Sequence, residues 1–272
     1  MNVWSYSRDS WTPSVMDLIR SPRELQGLRT VVLGSTSGIG RAIALTLAEA
    51  GADVIVHGYR SRDAAEQVAN DVRHHGSRSL VLMADLADRA AGGRLVEEAW
   101  NVWGGLDSWL HIAGADILTG NGRALDFDAK LDRLLTVDVA ATIRLTREIG
   151  ILMKKRGSGS IVTMGWDQAE TGMEGDSGEL FAATKGAILA FTRSLSLSLA
   201  PNVRVNAIAP GWIKTSWGES TSPLWHDRVV RETPLGRWGT PKDVADAACF
   251  LVGPRSTFLT GQILRVNGGA VR

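Results

Sequence analysis

The stretch Thr30-Val31-Val32-Leu33-Gly34-Ser35-Thr36-Ser37-Gly38-Ile39-Gly40 decides the fold of this chain. Four β-prone residues run into a glycine-rich turn, and a helical pattern follows. Glycines at such a junction permit a tight turn, let the backbone approach a pyrophosphate, and leave helix N–H groups facing the anion. A glycine-rich turn alone is a weak signal. Its place between strand and helix gives it meaning, and its GxxxGxG spacing differs from the common GxGxxG fingerprint. Gly34, Ser35, Ser37, Gly38, Ile39 and Gly40 are therefore candidate cofactor contacts.

Outward from this turn, short β-rich runs alternate with helical patterns, the signature of a parallel sheet covered on both faces. Strands are expected at 30–33, 53–57, 79–83, 108–112, 160–164, 203–209 and 262–266. Helices are expected near 39–50, 63–74, 88–103, 126–155, 181–200 and 242–252. No internal repeat or linker divides the chain, so 25–272 is read as one domain. Residues 1–24 form an N-terminal extension carrying Trp4, Tyr6 and Trp11.

Composition narrows the function classes. The 30 basic and 29 acidic side chains nearly cancel, leaving no global field to attract nucleic acid or anionic lipid. No apolar run reaches the ~18 residues of a membrane span and no signal-peptide core is present, so a cytoplasmic location is expected. Cys249 is the single cysteine, which excludes an internal disulfide and a cysteine-rich metal site. No metal is expected.

Further segments add up to a family pattern. Asp85-Leu86 follows the third strand and Ala113-Gly114 the fourth. Downstream come Pro210-Gly211-Trp212-Ile213-Lys214-Thr215, then Pro234-Leu235-Gly236-Arg237 and Asn267-Gly268-Gly269. From about residue 25 to 271 the chain resembles the short-chain dehydrogenase/reductase family, in its acyl-carrier-protein-reductase-like branch. The resemblance implies a Rossmann-type doubly wound domain with a seven-stranded parallel sheet in the order 3-2-1-4-5-6-7. It also implies that Asp85, Leu86, Ala113, Gly114, Pro210, Gly211, Ile213 and Thr215 contact a nicotinamide cofactor. His111 and Ile112 stand where the family shows two asparagines.

Cofactor choice is read after the second strand, where an acid would bind a ribose 2′-hydroxyl and an arginine a 2′-phosphate. The chain reads His57-Gly58-Tyr59-Arg60-Ser61-Arg62, with no acid before Asp63. Arg60 thus favours NADP(H) over NAD(H), although an arginine here can also merely solvate a loop.

The reacting centre departs from the family. There a serine and a tyrosine bind the carbonyl oxygen, a lysine binds the nicotinamide ribose, and an asparagine orders a water. In this chain Trp166 stands at the serine, Phe181 at the tyrosine and Asp138 at the asparagine. Only Lys185 is kept. Phenylalanine has no proton to give, and loss of a positioned general acid typically costs about 10²- to 10⁴-fold. Asp138 either pairs with Lys185 or contacts water or backbone.

Between Trp166 and Phe181 lies a segment with five acids and no base, running from Asp167 to Leu180. It is read as a solvated face, as a cationic-ligand site, or as the source of a replacement acid in Asp167, Asp176 or Glu179. Trp212, Trp217, Trp225 and Trp238 suit a bulky, apolar or planar small-molecule ligand, or pack a lid onto the body. Two function classes follow. One is a reductase with rearranged chemistry on a polarised C=C or C=N bond; the other is a cofactor-binding pseudoenzyme. The resemblance also implies a homotetramer, or failing that a homodimer.

Overall fold

The computed structural model describes residues 23–271. Seven strands form one parallel sheet: β1 (Arg29–Leu33), β2 (Asp53–Gly58), β3 (Ser79–Met83), β4 (Ser108–His111), β5 (Gly159–Met164), β6 (Val203–Pro210) and β7 (Ile263–Val266). Their order is β3-β2-β1-β4-β5-β6-β7, as the sequence predicts. Each expected strand lies within one residue of the observed one. The expected extension at 1–24 falls, up to residue 22, outside the described residues.

Successive strand residues point to opposite faces, and both faces are buried. Val32, Val56, Leu110 and Val162 pack under α1 (Gly38–Glu49), α2 (Arg62–His74) and a late helix, Pro241–Val252. Val31, Leu33, Ile55 and Trp109 pack on the other face, under α3 (Arg89–Asn101) and the long helices that follow β4 and β5. Cys249 is buried in the first of these layers.

The expected helix at 126–155 is not regular throughout. It comprises α5 (Phe127–Leu134), a π-helical turn Leu135–Ala140, and α6 (Ala141–Arg156), with the short α4 (Gly120–Arg123) before it. The π turn carries Asp138, whose carboxylate accepts from the Ala115 N–H and from Lys185. Helix α7 (Asp176–Leu199) begins five residues earlier than expected, inside the acidic segment. Two helices the sequence reading did not separate, α8 (Ser216–Ser220) and α9 (Pro223–Glu232), lie ahead of α10 (Pro241–Val252). No helix among the described residues is long and apolar enough to cross a membrane.

Candidate active site

The carboxyl ends of β5 and β6, with Ile39 at the start of α1 and the segment 117–120 after β4, line one cleft of about 1070 Å³. The glycine turn is built from β1 by close backbone contact. A Cβ on Gly34 (φ +77°) would lie 2.7 Å from Ala113 Cα, and one on Gly40 would lie 2.0 Å from the Gly34 carbonyl oxygen. A side chain at Gly34 would force the ends of β1 and β4 apart, and one at Gly40 would push α1 off the turn.

Ser37 caps α1 without a side-chain hydrogen bond, and Ser37 and Gly38 are exposed. The helix N-terminus is therefore open to an anion. Ser35 is fully buried instead; its Oγ donates to the Val32 carbonyl (2.8 Å) and accepts from the His57 N–H (3.0 Å). It shapes the turn rather than facing the cleft. Leu86 likewise belongs to the core.

Sequence reasoning missed His57. This buried side chain accepts from the Gly34 N–H at Nδ1 (3.1 Å), and its Nε2 lies 3.2 Å from the Ala84 carbonyl, which fixes it as a neutral tautomer bracing the turn. Burial lowers its pKa to about 4, against a partly opposing bond to Ala84. The signal was a lone polar residue ending an apolar strand.

Beneath Gly114, in the buried interior, the Lys185 ammonium donates to Asp138 Oδ2 at 2.7 Å, and the Ala115 N–H donates to Asp138 Oδ1 at 2.7 Å. Both proposed roles of Asp138, lysine partner and backbone acceptor, are thus realised together. Lys185 is 8% exposed and Asp138 1%. Trp166 lines the cleft and meets Phe181 edge-on, with ring centroids 6.1 Å apart. Phe181 also packs against a small cluster of Ile117, Leu134 and Leu180. His111, at the end of β4, is 1% exposed, and neither ring nitrogen has a hydrogen-bond partner among the described residues. Burial first, then the neighbouring His57 and Lys185 charges, lowers its pKa to about 3.

Two of the five acids in the acidic segment are paired with arginines. Glu174 pairs with Arg228 (2.5 Å), and Glu170 pairs with Arg193 (2.9 Å) and with Arg265. A cationic-ligand site made of the whole segment is not what forms. Asp167, a candidate replacement acid, is 2% exposed and accepts from Asn267 Nδ2 (3.1 Å), beside Gly211. Burial raises its pKa to about 6, opposed in part by the Asn267 bond. Asp176 does line the cleft, with Ser177 and Gly178.

The opposite wall carries Ile39, Pro210, Gly211, Ile213 and Thr215, together with Trp212, Trp217 and Trp225. The three indoles pack together at centroid distances of 5.5 to 6.0 Å, and Trp238 joins them at 6.0 Å from Trp217. Arg60 is exposed at the end of β2, stacks on Tyr59 at 4.9 Å, and makes no ion pair among the described residues. Asp85 accepts from the Ala87 N–H (2.9 Å), turning the chain after β3. No cluster of three or more potential metal ligands occurs among the described residues.

A family model described as enoyl-(acyl carrier protein) reductase matches residues 34–271. The chain belongs to the short-chain dehydrogenase/reductase family. It is 35% identical to the 3-oxoacyl-[acyl-carrier-protein] reductase FabG of Aquifex aeolicus, covering 90% of this chain and 98% of that protein. It is 33% identical to a cyclohexanol dehydrogenase of a Rhodococcus species, over 90% of this chain and 96% of that one. Among solved structures, a 7α-hydroxysteroid dehydrogenase complexed with NADH and 7-oxo glycochenodeoxycholic acid superposes with a TM-score of 0.83. It shares 30% identity, over 93% of this chain and 98% of that one. A short-chain dehydrogenase from Burkholderia cenocepacia in complex with NADP gives 0.80 at 32% identity, over 91% of this chain and 99% of that one. Family members bind nicotinamide cofactors and small-molecule substrates, and the open α1 terminus, the Pro210–Thr215 wall and Lys185 fit such a group.

Proposed function

We propose that this chain is an NADP(H)-binding oxidoreductase with a non-standard reacting centre, built as one domain over 25–272. The observation that carries the reading is the continuity of a single cleft from the open N-terminus of α1, past Ile39 and the Pro210–Thr215 wall, to Trp166. When bound, the nicotinamide supplies or takes a hydride. The chain's own residues do the rest. The N–H groups opening α1 face the pyrophosphate, Arg60 takes the 2′-phosphate, and Asp85, Ala113 and Gly114 border the adenosine half. Lys185, with two N–H donors left beyond the one given to Asp138, holds the nicotinamide ribose.

Support for NADP(H) over NAD(H) comes from the absence of an acid between Gly58 and Asp63, with Arg60 outside any ion pair among the described residues. Titration by cofactor fluorescence tests it. NADPH is expected to bind more tightly than NADH, and equal affinities overturn the assignment.

A second reading is favoured by one contact. Trp166 and Phe181 fill with carbon the two places that hold the oxygen-binding hydroxyls in relatives, which suits a cofactor-binding scaffold without turnover. Under either reading we propose a homotetramer, with a homodimer second, in the cytoplasm. The half-buried edge strand β7 and the fully exposed Phe258 support further association. Light scattering that found monomer alone at micromolar protein would overturn it.

A further inference from the structure

We infer that the cleft is built for a planar organic cation, and that the substrates it reduces are cyclic iminium ions. The turnover half of this inference rests on the oxidoreductase reading; the binding half stands without it. Three kinds of hydride acceptor can be weighed against the residues present. A carbonyl becomes an alkoxide and needs a donor with a transferable proton. A conjugated C=C bond becomes an enolate and needs an oxyanion stabiliser. Both reductions create negative charge at the reacting group.

An iminium ion loses charge instead. Its carbon takes a hydride from the reduced nicotinamide, the C=N π pair withdraws onto nitrogen as a lone pair, and the nicotinamide is oxidised by two electrons. The product is a neutral tertiary amine, and no proton is required at either reacting atom. A reacting centre with phenylalanine and tryptophan where a phenol and a hydroxyl would donate is a defect for the first two acceptors and no defect for the third.

The inner end of the cleft matches that demand. It is walled by Met164, Gly165 and Trp166, whose indole N–H has no proton to give near neutral pH. Lys185 would repel a cation if it stood alone, but Asp138 meets its charge at 2.7 Å. Indole rings attract cations at their faces, and Trp212, Trp217 and Trp225 all line the cleft. The protein already uses this attraction, since the Arg228 guanidinium sits 4.9 Å above the Trp225 ring. Arg123 and Lys130 line the cleft together with Glu174 and Asp176. Arg123 is exposed and Lys130 only half-buried, so water screens both. Glu174 is tied to Arg228, whereas Asp176 has no ion-pair partner among the described residues.

Two probes of the same bicyclic shape separate charge from area: N-methylquinolinium and 1-methylnaphthalene. Calorimetry on the full chain, with and without NADP⁺, should show the cation binding roughly 2- to 30-fold more tightly. Trp212→Leu and Trp225→Leu should each reduce that preference, with circular dichroism checking the fold. The wild-type comparison decides the matter even where a variant fails to fold. Equal or tighter binding of the neutral probe overturns the inference. For turnover, N-methyl-3,4-dihydroisoquinolinium should be reduced by NADPH while cyclohexanone is not, and the reverse outcome overturns the substrate class. If NADPH does not bind in the cofactor titration, the oxidoreductase reading fails by itself, and the calorimetric comparison still decides the cation site.

Discussion

The Lys185 ammonium and the Asp138 carboxylate form a buried ion pair at 2.7 Å, with the second carboxylate oxygen held by the Ala115 N–H. Phe181, one helical turn from the lysine, has no hydroxyl, and the carboxylate takes up the lysine's charge. Removing one member of a buried pair leaves the other uncompensated in a poorly solvated place. Asp138→Ala should therefore cost about 3 to 5 kcal/mol in denaturant unfolding. Asp138→Asn should cost less, because an amide still accepts from the Ala115 N–H.

Arg60 offers a second test. It extends from the end of β2 with only Tyr59 stacked against it and no carboxylate within ion-pair distance among the described residues. Arg60→Ala should weaken NADPH roughly ten-fold or more, the worth of a charge-assisted hydrogen bond, and leave NADH almost unchanged. Fluorescence titration of both cofactors checks it, and equal weakening of the two would remove the phosphate role.

The strands were legible because both faces of a parallel sheet are buried, so each strand reads as an apolar run bounded by turn residues. The site was legible where backbone geometry demands glycine, as at Gly34 against Ala113. The π turn at Leu135–Ala140 was not, since periodicity over 126–155 does not register one added residue. Nor was the fate of the acidic segment. Its carboxylates meet Arg193, Arg228 and Arg265 from distant parts of the chain, and charge clustering in sequence says nothing of partners in space. Asp167 went the same way, because its partner Asn267 lies a hundred residues on.

The aromatic pair Trp166 and Phe181 defines a third prediction. Phe181→Tyr returns a phenol one turn from Lys185, but Trp166 still occupies the place of the second oxygen-binding group. The double change Phe181→Tyr with Trp166→Ser should gain NADPH-dependent activity on simple activated ketones, and either single change should gain little. Acid and oxyanion donor act as one unit, so their effects are not additive. Steady-state assays check this. Wild-type turnover of ordinary ketones at rates of about 1 to 10³ per second would contradict the reading that Phe181 disables that chemistry.

A fourth prediction concerns acid. His57 and His111 titrate near 4 and 3 in the folded chain, below the ordinary histidine value of 6.5, because burial disfavours their charged forms. The unfolded chain therefore binds more protons than the folded one between those values and about 6.5, so stability falls as pH falls through that window. Each histidine contributes at most about 1.4 kcal/mol per pH unit. Asp167 acts in the opposite direction. Its folded pKa of about 6 lies above the ordinary 3.8, so it favours the folded state as pH falls from about 6 toward 4 and offsets one histidine there. His111→Asn places an amide where both imidazole nitrogens lack partners, and it should flatten the acid limb of the stability curve by about one proton while Asp167→Asn steepens it. Chemical unfolding followed from pH 4 to 7 measures both slopes, and an unchanged slope in His111→Asn would show that this imidazole is not held neutral in the fold.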